Sequence, residues 1–120
     1  MLLYKSAEDY LERILMLQKK GVAVRSIDLA QSFNYSRASI SRAINNLKHN
    51  RLIEIANNGV ISLTNEGYQI ANKIFNRHNI LSNLFIQLGV PEEIAKTDAC
   101  KIEHDISDIT FAAIINHLKK

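Results

Sequence analysis

The sequence predicts a mostly α-helical fold, a winged helix-turn-helix followed by a helical second half. Three observations predict it. Apolar residues recur with a helical period through most of the chain. That period gives way to the character of strands only between residues 52 and 63. An Asn57-Asn58-Gly59 turn sits in the middle of that stretch, and Asn-Gly is a strong hairpin signal. One proline, Pro91, and four glycines leave few places where a helix must break.

The elements follow in order. Ser6 precedes Glu8 and Asp9, a good N-cap signal for a helix over 6–20. Tyr10, Ile14 and Leu17 share one face of it, with Leu11 and Leu15 beside them, and Gly21 stops it. Ser26 is expected to cap a short helix, Ile27 to Phe33, that turns Ile27, Leu29 and Ala30 inward. After the Asn34-Tyr35 turn, Ser36 caps a third helix. Its apolar positions Ile40, Ala43, Ile44 and Leu47 fit a period of about 3.6, and it ends near His49-Asn50.

Leu52–Ile55 and Val60–Leu63 read as the two strands of the wing. Thr64 then caps a fourth helix with Glu66 and Gly67 in its first turn. Its pattern of Ile70, Ile74, Phe75, Leu81, Leu84, Phe85 and Leu88 runs on to Gly89. Pro91-Glu92-Glu93 opens a fifth helix expected to reach about Ile106, and Ser107 caps a sixth with Phe111, Ile114, Ile115 and Leu118. The division this implies is a winged helix-turn-helix over 1–67 and a helical domain over 68–120.

Composition narrows the function. No apolar run approaches the roughly 20 residues of a membrane span, and the N-terminus is followed at once by acids, unlike a signal peptide. A single cysteine excludes an internal disulfide framework and fits a reducing cytoplasm. Residues 1–67 carry nine Lys/Arg against six Asp/Glu, residues 68–120 six against six, so the whole net charge of +3 lies in the first part. Between Ser36 and Arg51 stand Arg37, Arg42, Lys48 and Arg51 with no acid. Such a stripe suits a phosphate backbone. Arg37, Ser39, Ser41, Arg42 and Asn45 on the third helix are side chains of the kind that bind base edges and phosphates. A winged helix used only for protein contacts would not need them.

The second half carries a different chemistry. Cys100, Glu103 and His104 stand at i, i+3 and i+4, one face of a helix. Thiolate, carboxylate and imidazole together suit a borderline divalent metal such as Fe(II), Zn(II), Co(II) or Mn(II). Asp9 and Glu12, three apart on the first helix, offer two more oxygens, and His78 a second imidazole. Taken singly, each has a plainer reading: a small apolar thiol, a surface histidine, acids that favour a helix dipole.

These residues lie in segments that resemble the DtxR/MntR family of iron- and manganese-dependent repressors. SAEDYLERILML at 6–17 looks like the family's opening helix, LTNEG at 63–67 like the exit from its wing, NRH at 76–78 like its basic-residue-plus-His step, and DACKIEHDIS at 98–107 like its metal-binding helix. The resemblance implies a cytoplasmic, homodimeric repressor of metal-homeostasis genes that binds a palindromic operator when Mn(II) or Fe(II) is present, with Asp9, Glu12, His78, Cys100, Glu103 and His104 as ligands. Asp9 is the choice of manganese-type members and Cys100 that of iron-type members, so the chain sits between the two subtypes. Hard oxygens favour Mn(II), thiolate favours Fe(II), and Zn(II) or Co(II) should also bind in vitro.

The family's ancillary site would need an acid and a histidine where Ser82 and Lys96 stand. The resemblance therefore implies that His78 joins the main site. It also places Ser36, Ala38 and Arg42 at the bases and Arg37, Ser39, Ser41 and Lys48 at phosphates. The chain ends at Lys120, so a short form without the SH3-like third domain of many members is expected. No catalytic residues are expected. Two other classes compete: a winged-helix regulator of a small organic ligand, and a metalloenzyme with an open coordination position. The enzyme would lack a spare acid or base beside the ligands.

Overall fold

The computed structural model describes residues 5–120. The order is α1 (Lys5–Lys19), α2 (Ser26–Phe33), α3 (Arg37–His49), β1 (Ile53–Ile55), β2 (Ile61–Leu63), α4 (Asn65–Gln87), α5 (Glu92–Ile102) and α6 (Asp108–Leu118). The chain divides into two compact units, Met1–Asn72 and Lys73–Lys120, so the division falls inside α4.

In the first unit the apolar stripe of α1 buries Tyr10, Leu11, Ile14 and Leu15. Leu29 of α2, Ile40, Ile44 and Leu47 of α3, and Leu52, Ile53 and Ile61 of the wing are buried with them. Burying side chains of this size stabilises by roughly 1.5–3 kcal/mol each before conformational entropy is subtracted. Tyr10, Phe33 and Tyr35 form an aromatic cluster, Phe33 and Tyr35 stacked at 5.3 Å and Tyr10 edge-on to Phe33 at 4.8 Å. Arg13 lies over the Phe33 ring and bonds to the Ser32 hydroxyl. The turn that aims α3 is thus held from α1. Burial, then the neighbouring Tyr35, raises the Tyr10 phenol above its ordinary pKa.

Two details of α2 differ from expectation. Ser26 lies inside the helix, and the cap comes from the other direction: the Asp28 carboxylate accepts from the Arg25 backbone N–H at 2.8 Å. Ile27 is 42% exposed rather than inward. An eight-residue helix presents little more than one buried face, and Leu29 with Ala30 fills it.

Ser36 caps α3 as expected, its Oγ accepting from the Ser39 N–H at 3.2 Å. The wing pairs Ile53 with Leu63 and Ile55 with Ile61. Its turn is a three-residue loop, with the Gly59 N–H donating to the Ala56 carbonyl at 2.9 Å and Gly59 at φ +85°. This combination of a type I turn and a left-handed glycine matches the twist of paired strands. The exit is tied down twice by Thr64, whose Oγ1 donates to the Arg51 carbonyl at 2.8 Å and accepts from the Gly67 N–H at 3.1 Å.

In the second unit Ile74 and Leu81 of α4 and Ala95 and Ala99 of α5 are buried. The fifth helix ends at Ile102, not near Ile106. Ser107 must be extended (φ −69°, ψ 157°) for its Oγ to accept from the Thr110 N–H and cap α6. The chain therefore has to leave helical geometry before it. The buried Arg77 guanidinium takes the carbonyls this leaves, donating to Glu103 at 3.2 Å and Ile106 at 2.6 Å. No helix among the described residues is long and apolar enough to cross a membrane.

Candidate DNA-binding helix and metal centre

The third helix separates its two faces cleanly. Ile40, Ile44 and Leu47 are buried, while Arg37, Ala38, Ser41, Arg42, Asn45 and Lys48 are exposed. Ser36 and Ser39 are engaged with each other, the Ser36 hydroxyl donating to Ser39 Oγ at 3.0 Å while capping the helix. Of the seven residues expected to meet DNA, five are therefore open on the surface. Ser36 is exposed but committed to the cap, and Ser39 is half-buried beneath it. The helix carries no acid in its first turn and ends on Lys48 and His49. Its exposed surface thus carries Arg37, Arg42 and Lys48 with no acid.

In the second unit the structure brings His78, Glu103 and His104 together. Glu103 is the C-cap of α5, in helical backbone geometry, with its side chain fully buried. His78 Nδ1 lies 2.9 Å from Glu103 Oε2, and His104 Nε2 lies 3.4 Å from Glu103 Oε1. Both imidazoles are largely covered, at 16% and 2% side-chain exposure. Cys100 stands one turn earlier on α5 and is exposed. Cys100 thus lies within α5, and Glu103 and His104 just past its last residue. In the first unit Asp9 and Glu12 lie three residues apart on α1, the first half-buried and the second buried.

A carboxylate removed from water must be paired or coordinated. Here each oxygen of Glu103 faces an imidazole nitrogen. Neutral imidazole and carboxylate are both ligands for a divalent transition metal, so the donor set fits such an ion.

Sequence reasoning missed Arg77. It read the residue only as part of a basic-plus-His step, yet Arg77 is 5% exposed, bonds three groups and lies 5.1 Å from the Phe111 ring centroid. Its third partner is Asp108, which also pairs with Lys73 at 3.2 Å. Lys73 first, then Arg77, holds the Asp108 carboxyl below the usual carboxylate range. A buried guanidinium can only be recognised once its acceptors are known, and all of its acceptors come from 26 to 31 residues away.

Both halves of the chain have counterparts among known proteins. Residues 2–61 match the family described as iron dependent repressor, N-terminal DNA binding domain, and residues 64–120 match iron dependent repressor, metal binding and dimerisation domain. The transcriptional regulator MntR of Escherichia coli O6:H1 is 33% identical over 106 residues, covering 88% of this chain and 68% of that protein. The iron-dependent repressor IdeR of Mycobacterium leprae is 26% identical over 107 residues, covering 88% of this chain and 46% of that one. A solved manganese-dependent transcriptional repressor in complex with manganese superposes with a TM-score of 0.85 at 29% identity, over 94% of this chain and 52% of that one. The chain spans about half the length of this repressor and of the solved manganese regulator SloR. With both halves matched in order, the chain belongs to the DtxR/MntR family of iron- and manganese-dependent repressors.

Proposed function

We propose that this protein is a metal-dependent, DNA-binding transcriptional repressor of metal-homeostasis genes that acts in the cytoplasm, by binding rather than by catalysis. The observation that carries the reading is the buried Glu103 carboxylate set between His78 and His104, on the same chain as an exposed basic helix in a winged helix-turn-helix. In this reading residues 1–67 bind DNA and residues 68–120 bind metal and dimerise. The metal ligands are Asp9, Glu12, His78, Cys100, Glu103 and His104. A bound Mn(II) or Fe(II) would supply positive charge at these ligands. The oxygens of Asp9, Glu12 and Glu103 lean toward Mn(II) and the Cys100 thiolate toward Fe(II), with Zn(II) and Co(II) able to substitute in vitro.

The protein's own residues do the rest. Ser36, Ala38 and Arg42 face the bases, while Arg37, Ser39, Ser41 and Lys48 face phosphates. Two copies related by a twofold axis would present two such helices to a palindromic operator. Metal and DNA affinities must then rise together, because coupling between two sites is reciprocal.

Two outcomes test the DNA half on an operator selected from a randomised duplex pool. Arg42→Ala should cost roughly 1–3 kcal/mol and relax base preference. Lys48→Ala should weaken all sequences alike and flatten the salt dependence. Unchanged operator affinity in Arg42→Ala would mean that α3 is not the reading helix. Sedimentation at micromolar concentration should show a dimer with or without metal, and a monomer would remove the twofold operator from the reading.

A further inference from the structure

Among the described residues, four helices end with a residue in the left-handed region. Three of those residues tolerate it: Gly21 after α1, Asn34 after α2 and Gly89 after α4. The fourth, after α3, is Arg51 at φ +61°. The local hydrogen bonds call for that conformation, since the Arg51 N–H donates to the Lys48 carbonyl at 3.0 Å and the Leu52 N–H to the Leu47 carbonyl at 3.0 Å. Nothing in them calls for arginine. A residue with a Cβ is strained there, and glycine would close the same cap without strain.

The side chain offers the fold nothing visible in return. Arg51 is exposed, and among the described residues its guanidinium makes no hydrogen bond, ion pair or ring contact. Its backbone, in contrast, is fixed by the Thr64 hydroxyl on its carbonyl at 2.8 Å. The charge therefore hangs from an immobile point. It shares a cleft between the end of α3 and the wing with Lys48, Glu54 and Thr64. It also closes the acid-free stretch from Ser36 that holds Arg37, Arg42 and Lys48. Strain kept at a surface position without benefit to the fold points to an external partner. A guanidinium beside a basic helix fits the phosphate backbone of duplex DNA.

We propose that Arg51 is a phosphate-backbone contact, held beside Lys48 at the junction of α3 and the wing and retained there for its charge against the conformational preference of the site. The inference deepens the DNA-binding reading and rests on it. Its test compares wild type, Arg51→Gly and Arg51→Lys, all saturated with Mn(II). Each is titrated by fluorescence anisotropy against a fluorescein-labelled mixed-sequence duplex over a range of salt concentrations, and each is melted thermally. Arg51→Gly should keep or raise the melting midpoint. It should lose roughly fivefold in affinity per contact at about 0.15 M salt, with a salt slope shallower by roughly 0.9 per contact. Arg51→Lys should retain the wild-type slope.

Wild-type affinity and slope in Arg51→Gly would overturn the proposal and leave the DNA-binding reading intact. A midpoint several degrees below wild type in Arg51→Gly would overturn it too, by showing that the side chain serves the fold. A slope in Arg51→Lys as shallow as in Arg51→Gly would rule out a contact made by charge. Failure of the wild-type protein itself to bind the duplex would sink the broader reading and this one with it.

Discussion

Gly67→Ala is expected to destabilise the protein by about 3 kcal/mol or more. Gly67 lies buried in the first turn of α4, and a Cβ there would stand 2.0 Å from the Leu52 carbonyl oxygen. That oxygen is backbone and is already held by the Thr64 N–H at 3.1 Å, so it cannot swing away. Alanine in a helix normally gains about 1 kcal/mol over glycine, but the steric overlap is larger and decides the sign. Gly59→Ala makes the control. Its Cβ would meet open space, so only the left-handed backbone at φ +85° opposes it, at roughly 1–2 kcal/mol. Urea unfolding followed by circular dichroism ranks the two. Equal midpoints would show that the wing and α4 do not approach as closely as described.

His104→Ala is expected to abolish metal-stimulated DNA binding while leaving the fold in place. Couplings of this kind typically amount to roughly 5- to 150-fold in affinity, and the variant should fall to the metal-free level across that whole range. His104 is nearly covered and lies 3.4 Å from Glu103 Oε1, so the change removes one of the two imidazoles that flank the buried carboxylate. Weak, salt-sensitive binding through α3 should survive, because α3 is untouched. Cys100→Glu should act differently, keeping stimulation but shifting preference from Fe(II) toward Mn(II) as a soft ligand is exchanged for a hard one. Anisotropy titrations with each metal under anaerobic conditions read both. Full stimulation in His104→Ala would remove the metal-sensing reading even if DNA binding persisted.

What could be read without coordinates was whatever is decided within a few residues. The caps at Ser36, Thr64 and Ser107 stand where hydroxyl side chains precede helical patterns, and all three bond as expected. The hairpin follows from Asn-Gly between two apolar stretches. What escaped is mostly decided at long range, the local exception being Ser26, whose expected cap gives way to Asp28 acting on the Arg25 N–H. Nothing near Ile27 tells that Leu29 and Ala30 leave it outside. Nothing near Ile102 tells that an arginine 25 residues upstream supplies bonds that let the helix stop. Of the candidate ligands, spacing alone links Cys100, Glu103 and His104. The pairing of His78 with Glu103 joins residues 25 apart in the sequence, on two different helical segments.

Arg77 has a consequence for how tightly a metal could be held. The guanidinium fixes the main chain at Glu103 itself and at Ile106, two residues beyond His104. Donor atoms tethered in this way lose little freedom when an ion arrives, because the ordering was completed as the protein folded. A charge-conserving Arg77→Lys would offer a single ammonium where a planar fork spans two carbonyls and a carboxylate. Its effect would then surface as a faster metal off-rate, in a protein whose every candidate ligand is unchanged.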